Sequence, residues 1–139
     1  MEPPRVSHIL ETSLYVSDLQ RSRDFYVRVF GFEEFFSDDR LAVMGMPGGQ
    51  VLLLFRQGTT SVPAPTPGGT FPAHEGEGHL HLCLAVPRGE LGAWEQHLAR
   101  QGIAVESRVS WSRGGTSLFF RDPDEHSLEI ATPGLWPNY

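Results

Sequence analysis

The sequence predicts an α+β fold in which two βαβββ repeats form one curved eight-stranded mixed sheet. Three observations lead there. A strand–helix segment at 11–32 is answered by a second at 81–103. Each is followed by three short strand-like runs. A Pro- and Gly-dense stretch at 57–78 separates the copies. The 139 residues suit one domain (1–139), with a first unit at 5–56, a linker at 57–78 and a second unit at 79–134.

In the first segment, ETSLYVSDLQRSRDFYVRVFGF, Leu14 and Val16 alternate with Ser13 and Tyr15, as in a half-buried strand. Ser17 and Gln20 have capping-box spacing. Leu19, Tyr26, Val29 and Phe30 then recur at helical intervals, and Gly31 supplies a stop. Strands are expected at 33–38, 40–46 and 50–56. In the second segment, His81, Cys83 and Ala85 alternate with Leu82, Leu84 and Val86. Leu91, Trp94 and Leu98 form a helical stripe that Gly102 ends. Strands follow at 104–110, 116–122 and 126–132. The last pair in each copy is joined by a Pro turn, at 47–49 and 123–125. Aligning Pro47 with Pro123 sets Val43 on Phe119, Leu52 on Leu128 and Leu53 on Glu129, while Glu11 falls on His81. The linker, dense in Pro and Gly, is expected to carry little regular structure. At this length it is either a spacer or a lid.

Composition narrows the function. Hydrophobic residues make up 40% and charged residues 20%, an ordinary globular balance. The net charge is -6, which disfavours nucleic acid and anionic membranes as partners. All eleven basic residues are Arg, so a lysine Schiff base is excluded. One cysteine, Cys83, excludes an intrachain disulfide and a Cys-rich zinc cluster. No apolar signal core or membrane-length run occurs, and the expected location is cytoplasmic.

Strand alternation sorts the remaining polar residues. If Leu14, Val16, Leu82, Leu84, Val86, Leu128 and Ile130 face the helices, the other face carries Glu11, Ser13, Tyr15, His79, His81, Cys83, Ser127 and Glu129. Glu11 and His81 hold equivalent first-strand positions, and Glu129 lies in a last strand. Alone, each has a plain reading as a solvent-facing carboxylate or a hydrogen-bonded sheet histidine. Two carboxylates and an imidazole converging in a cleft require charge compensation. A divalent cation (Mn, Fe, Ni or Zn) provides it, and three protein ligands leave positions open to substrate. The Gly-Gly pairs at 48–49 and 114–115 precede no helix and are turns, not phosphate loops.

The stretches LYVSDLQRSRDFYVRVFGF, GHLHLCLAV and GGTSLFFRDPDEHSLEIATPGLW resemble the vicinal oxygen chelate superfamily of glyoxalases, extradiol dioxygenases and bleomycin- and fosfomycin-resistance proteins. The resemblance spans nearly the whole chain. It implies ligand positions at Glu11, Leu53, His81 and Glu129, of which Leu53 cannot ligate. It also implies a small-molecule substrate, a homodimer and a metal-dependent isomerase, lyase or dioxygenase, in which Glu11 or Glu129 doubles as a base. Three departures qualify it, the first being that Glu11 stands where His is usual, which a metal tolerates. The missing fourth ligand fits poorly with a full glyoxalase I site, and the dioxygenase pattern has two His and one carboxylate. The turn DPDEH has Glu125 and His126 where Gly-Asn is usual. The alternative is a non-catalytic drug-binding protein, with Leu53 making the cleft apolar and Tyr15, Trp111, Phe119 or Phe120 stacking on the guest.

Overall fold

A computed structural model describes residues 1–139. The chain forms two compact units, Met1–Gly76 and Glu77–Tyr139.

In the first unit, β1 (Glu11–Val16) leads into α1 (Leu19–Phe30), then β2 (Glu33–Ser37), β3 (Leu41–Met46) and β4 (Gln50–Arg56). The sheet order is β1-β4-β3-β2, with β1 and β4 parallel and the rest antiparallel. Leu14, Val16, Ala42, Met44, Leu52 and Leu54 are buried, as are Leu19, Phe25, Tyr26 and Val29 of α1. Burying such side chains contributes roughly 1.5–3 kcal/mol each, and this stripe fixes which sheet face remains for function. The helix starts one residue later than the Ser17 reading implied. Asp18 is its N-cap and accepts from the Arg21 amide at 3.1 Å, while Ser17 Oγ accepts from the Arg21 guanidinium. Gly31 ends it at φ 69°, a left-handed conformation that costs a glycine least.

Residues 57–78 are more ordered than their composition suggests. β5 (Ala64–Thr66) and β6 (Gly69–Phe71) form a small hairpin. Beyond it the chain is tied back: His74 N donates to Thr60 O and Thr60 Oγ1 donates to His74 O. The turn at Gly68–Gly69, closed by Thr66 Oγ1 donating to Gly69 O, lets a Pro-rich stretch pair on itself.

The second unit repeats the order: β7 (His81–Ala85), a short turn of 3-10 helix at Arg88–Glu90, α2 (Leu91–Arg100), β8 (Ser107–Ser110), β9 (Thr116–Arg121) and β10 (Ser127–Ala131). Its sheet order is β7-β10-β9-β8. The eight strands expected from the sequence are therefore hydrogen-bonded as two ladders of four, one per unit. The registers correspond residue for residue. Glu11 pairs with Val51 as His81 pairs with Ser127, and Val43 pairs with Leu53 as Phe119 pairs with Glu129. Leu98, Leu118, Phe120, Leu128 and Ile130 form the core of this unit.

Candidate metal centre and substrate cavity

β10 and β7 run parallel, so Ser127 and Glu129 share a face with His81 and Cys83. β9 adds Ser117 and Phe119 to that face. Glu129 is only 6% exposed, although it is a carboxylate in mid-strand. Such a group needs partners. Ser117 Oγ donates to Glu129 Oε2, and Trp111 Nε1 donates to Ser117 Oγ at 2.8 Å. This relay fixes one carboxylate oxygen. The other, Oε1, lies 3.3 Å from His81 Nε2. His81 Nδ1 sits 2.9 Å from the Ser127 carbonyl. A carbonyl only accepts, so Nδ1 carries the proton and donates. Nε2 is thereby turned to Glu129, with the imidazole about half exposed (52%) and its ring stacked on Phe119 at 6.3 Å. A backbone carbonyl on one imidazole nitrogen and a free second nitrogen beside a held carboxylate is the arrangement metal-binding histidines adopt. The donor chemistry of this pair fits a divalent cation.

Cys83 stands beside the pair. The residue as a whole is exposed, yet burial of its sulfur, followed by the charge and hydrogen bond of Glu129, pushes the thiol up to about 12. That makes it a weak nucleophile at neutral pH. His126 is buried in the turn before β10. Its Nδ1 accepts from the Leu80 amide at 2.9 Å and its own amide donates to Asp122 Oδ1 at 2.9 Å. It is structural, as its place in the turn suggested.

Glu11 lies in the first unit, exposed at the start of β1. With Ser13 and Tyr15 on the same strand face it lines a cavity of roughly 640 Å³, together with Leu53, Phe55 and Leu41 of the neighbouring strands. Arg40, Phe71, Pro72 and His74 complete the wall. Tyr15 Oη and His74 Nδ1 are 2.6 Å apart, and both rings pack on Phe55. The 57–78 segment thus forms part of the cavity wall. Leu53 occupies the middle of the floor, between Ser13 and Val43. Neither unit by itself gathers three His, Cys, Asp or Glu side chains around one point.

Sequence reading missed Ser117, Arg40 and the anchoring role of His74. Ser117 could have been found by parity, two residues before Phe119 on the Glu129 face. Nothing in the local sequence marks Arg40 or His74.

A family description, Glyoxalase/Bleomycin resistance protein/Dioxygenase superfamily, matches residues 5–130. The chain belongs to this superfamily. Among solved structures of the superfamily's fold, a lactoylglutathione lyase from Agrobacterium tumefaciens is 33% identical, with a TM-score of 0.87, 98% of this chain and 99% of that one being covered. In Bacillus subtilis, catechol-2,3-dioxygenase is 30% identical over 128 residues, 89% of this chain. The chain spans only 41% of that relative's length. A second B. subtilis protein, YwkD, is 32% identical over 125 residues, covering 85% of this chain and 91% of that protein. No helix in this superfamily member is long and apolar enough to cross a membrane.

Proposed function

We propose that the protein is a divalent-metal-dependent enzyme of the glyoxalase type, acting on a small substrate with two neighbouring oxygens. The observation that carries the reading is the His81–Glu129 pair, buried on one side and held by Ser127, Ser117 and Trp111. Glu11 holds the equivalent strand position in the other unit, with the same register to its neighbour, and is the third ligand.

The metal supplies Lewis acidity toward a developing enolate or similar anion. The chain's own groups do the rest. Ser127 O fixes the His81 tautomer. Ser117, itself held by Trp111, keeps the Glu129 carboxylate oriented. Glu11, more exposed than Glu129 and in the cavity wall, is the better placed to take a proton from bound substrate. Isomerase, lyase and dioxygenase chemistry all begin from such a site. Elemental analysis of protein purified without chelator tests the reading: one metal per chain in the parent, lost in Glu129→Gln, is expected. Metal-free parent protein would overturn it.

A second reading has its own observation. The cavity beside Glu11 has Leu53 in its floor and aromatic walls, which suits a sequestered apolar guest without catalysis. Leu53→Glu separates the two. At a site lacking one ligand it tightens metal binding. At a site that never holds metal it only buries an unpaired carboxylate, destabilising the fold by about 1–3 kcal/mol.

A further inference from the structure

We propose that the first-unit cavity takes an elongated organic anion, with an apolar or aromatic body over Leu53 and Phe55 and its carboxylate on Arg40. The inference deepens the proposed function and rests on Glu11 marking the reacting end of this cavity. Arg40 Nε is buried and has no hydrogen-bond partner. An N–H closed to water is closed to a guest oxygen as well, so a carboxylate entering the cavity meets the terminal nitrogens of this guanidinium. Arg40 is a wall residue of the cavity, and its guanidinium carbon lies 5.9 Å from the centre of the Phe55 ring. Its neighbour Asp38 accepts from the Arg40 and Leu41 amides on Oδ1, which shapes the loop that carries Arg40.

The two charged wall residues sit at opposite ends. Arg40 precedes Leu41, which pairs with Phe55, and Phe55 pairs with Tyr15. Glu11 is four residues from Tyr15 along β1, roughly 13 Å in an extended strand. Between them the facing side chains are Ser13, Leu53, Leu41 and Phe55. Tyr15 and His74 satisfy each other and present ring surface. The cavity is thus acidic at one end, apolar in the middle and cationic at the other. A substrate whose oxygens react near Glu11 carries its anionic group at the far end.

The test uses calorimetric titration of the full chain with 3-phenylpropionate and its uncharged analogue 3-phenylpropionamide, first with EDTA present and then with added manganese. In EDTA the carboxylate is expected to bind at least ~10-fold more tightly than the amide, as one charge-assisted pair provides. Arg40→Met, which keeps the stem, erases that difference while leaving the amide affinity within about twofold; Arg40→Lys retains part of it. Equal affinities for the two probes, a preference that survives in Arg40→Met, or no binding of either at millimolar concentration would overturn the inference. So would a preference seen only with manganese, because the carboxylate would then be on the ion. An Arg40-dependent preference in protein that takes up no metal supports the inference while removing the metal reading.

Discussion

At the scale of single residues, Glu129 is held by named partners, and each makes a prediction. Ser117→Ala removes the donor on Oε2 and leaves that oxygen buried beside Trp111. Metal affinity should drop about 10-fold, the usual consequence of losing an outer hydrogen bond to a ligand, with a melt showing the fold intact. Cys83 reports on the same carboxylate. Its thiol is raised from 9.0 to about 12, by burial first and by Glu129 second. A raised thiol pKa means less thiolate at a given pH. Alkylation of metal-free protein at pH 9 should therefore run at least ~10-fold slower than for a free cysteine, a figure discounted because the residue is open to solvent. Glu129→Gln should recover part of that rate, and the burial contribution should persist. Equal rates in the two proteins would mean that the carboxylate does not bear on the sulfur.

At the scale of elements, strand parity was the most legible property of the sequence. Leu14 and Val16 against Ser13 and Tyr15, or Leu128 and Ile130 against Glu129, can be read directly because a strand alternates faces. The Pro turns aligned the two repeats, setting Val43 on Phe119 and Leu53 on Glu129, and the structure gives both copies the same pairing, Val43 with Leu53 and Phe119 with Glu129. Ends were less legible: the cap of α1 fell on Asp18 because its carboxylate reaches the Arg21 amide. The 57–78 hairpin was hidden because its order comes from long-range bonds between Thr60 and His74. The DPDEH turn has a measurable cost. Glu125 is the sole non-glycine residue at positive φ, 64°, held by its amide donating to the Asp122 carbonyl and by Arg121 donating to its own carbonyl. The left-handed conformation costs about 1–2 kcal/mol in a residue with a Cβ, while glycine loses about 0.5–1 kcal/mol more entropy on folding. The strain wins, so Glu125→Gly should stabilise the protein by about 0.5–1 kcal/mol in urea unfolding. A destabilised variant would show that the Glu125 side chain contributes more than its backbone costs.

At the scale of the whole molecule, the repeat is what made the candidate site readable. Equivalent registers place Glu11 and His81 at matching points in two units, and Glu129 where the first unit has Leu53. Of the supporting relay only Ser117 was within reach, by parity with Phe119. Trp111 and Arg40 act through tertiary contacts that carry no local spacing. The proposed function makes Glu11, His81 and Glu129 each a requirement for metal binding. Titration of manganese into metal-free parent, Glu11→Gln, His81→Ala and Glu129→Gln, each checked for an intact fold, tests it most directly. One site per chain is expected, weakened by at least ~100-fold in each variant, about 2.8 kcal/mol. A Glu11→Gln protein that binds manganese as the parent does would contradict the claim.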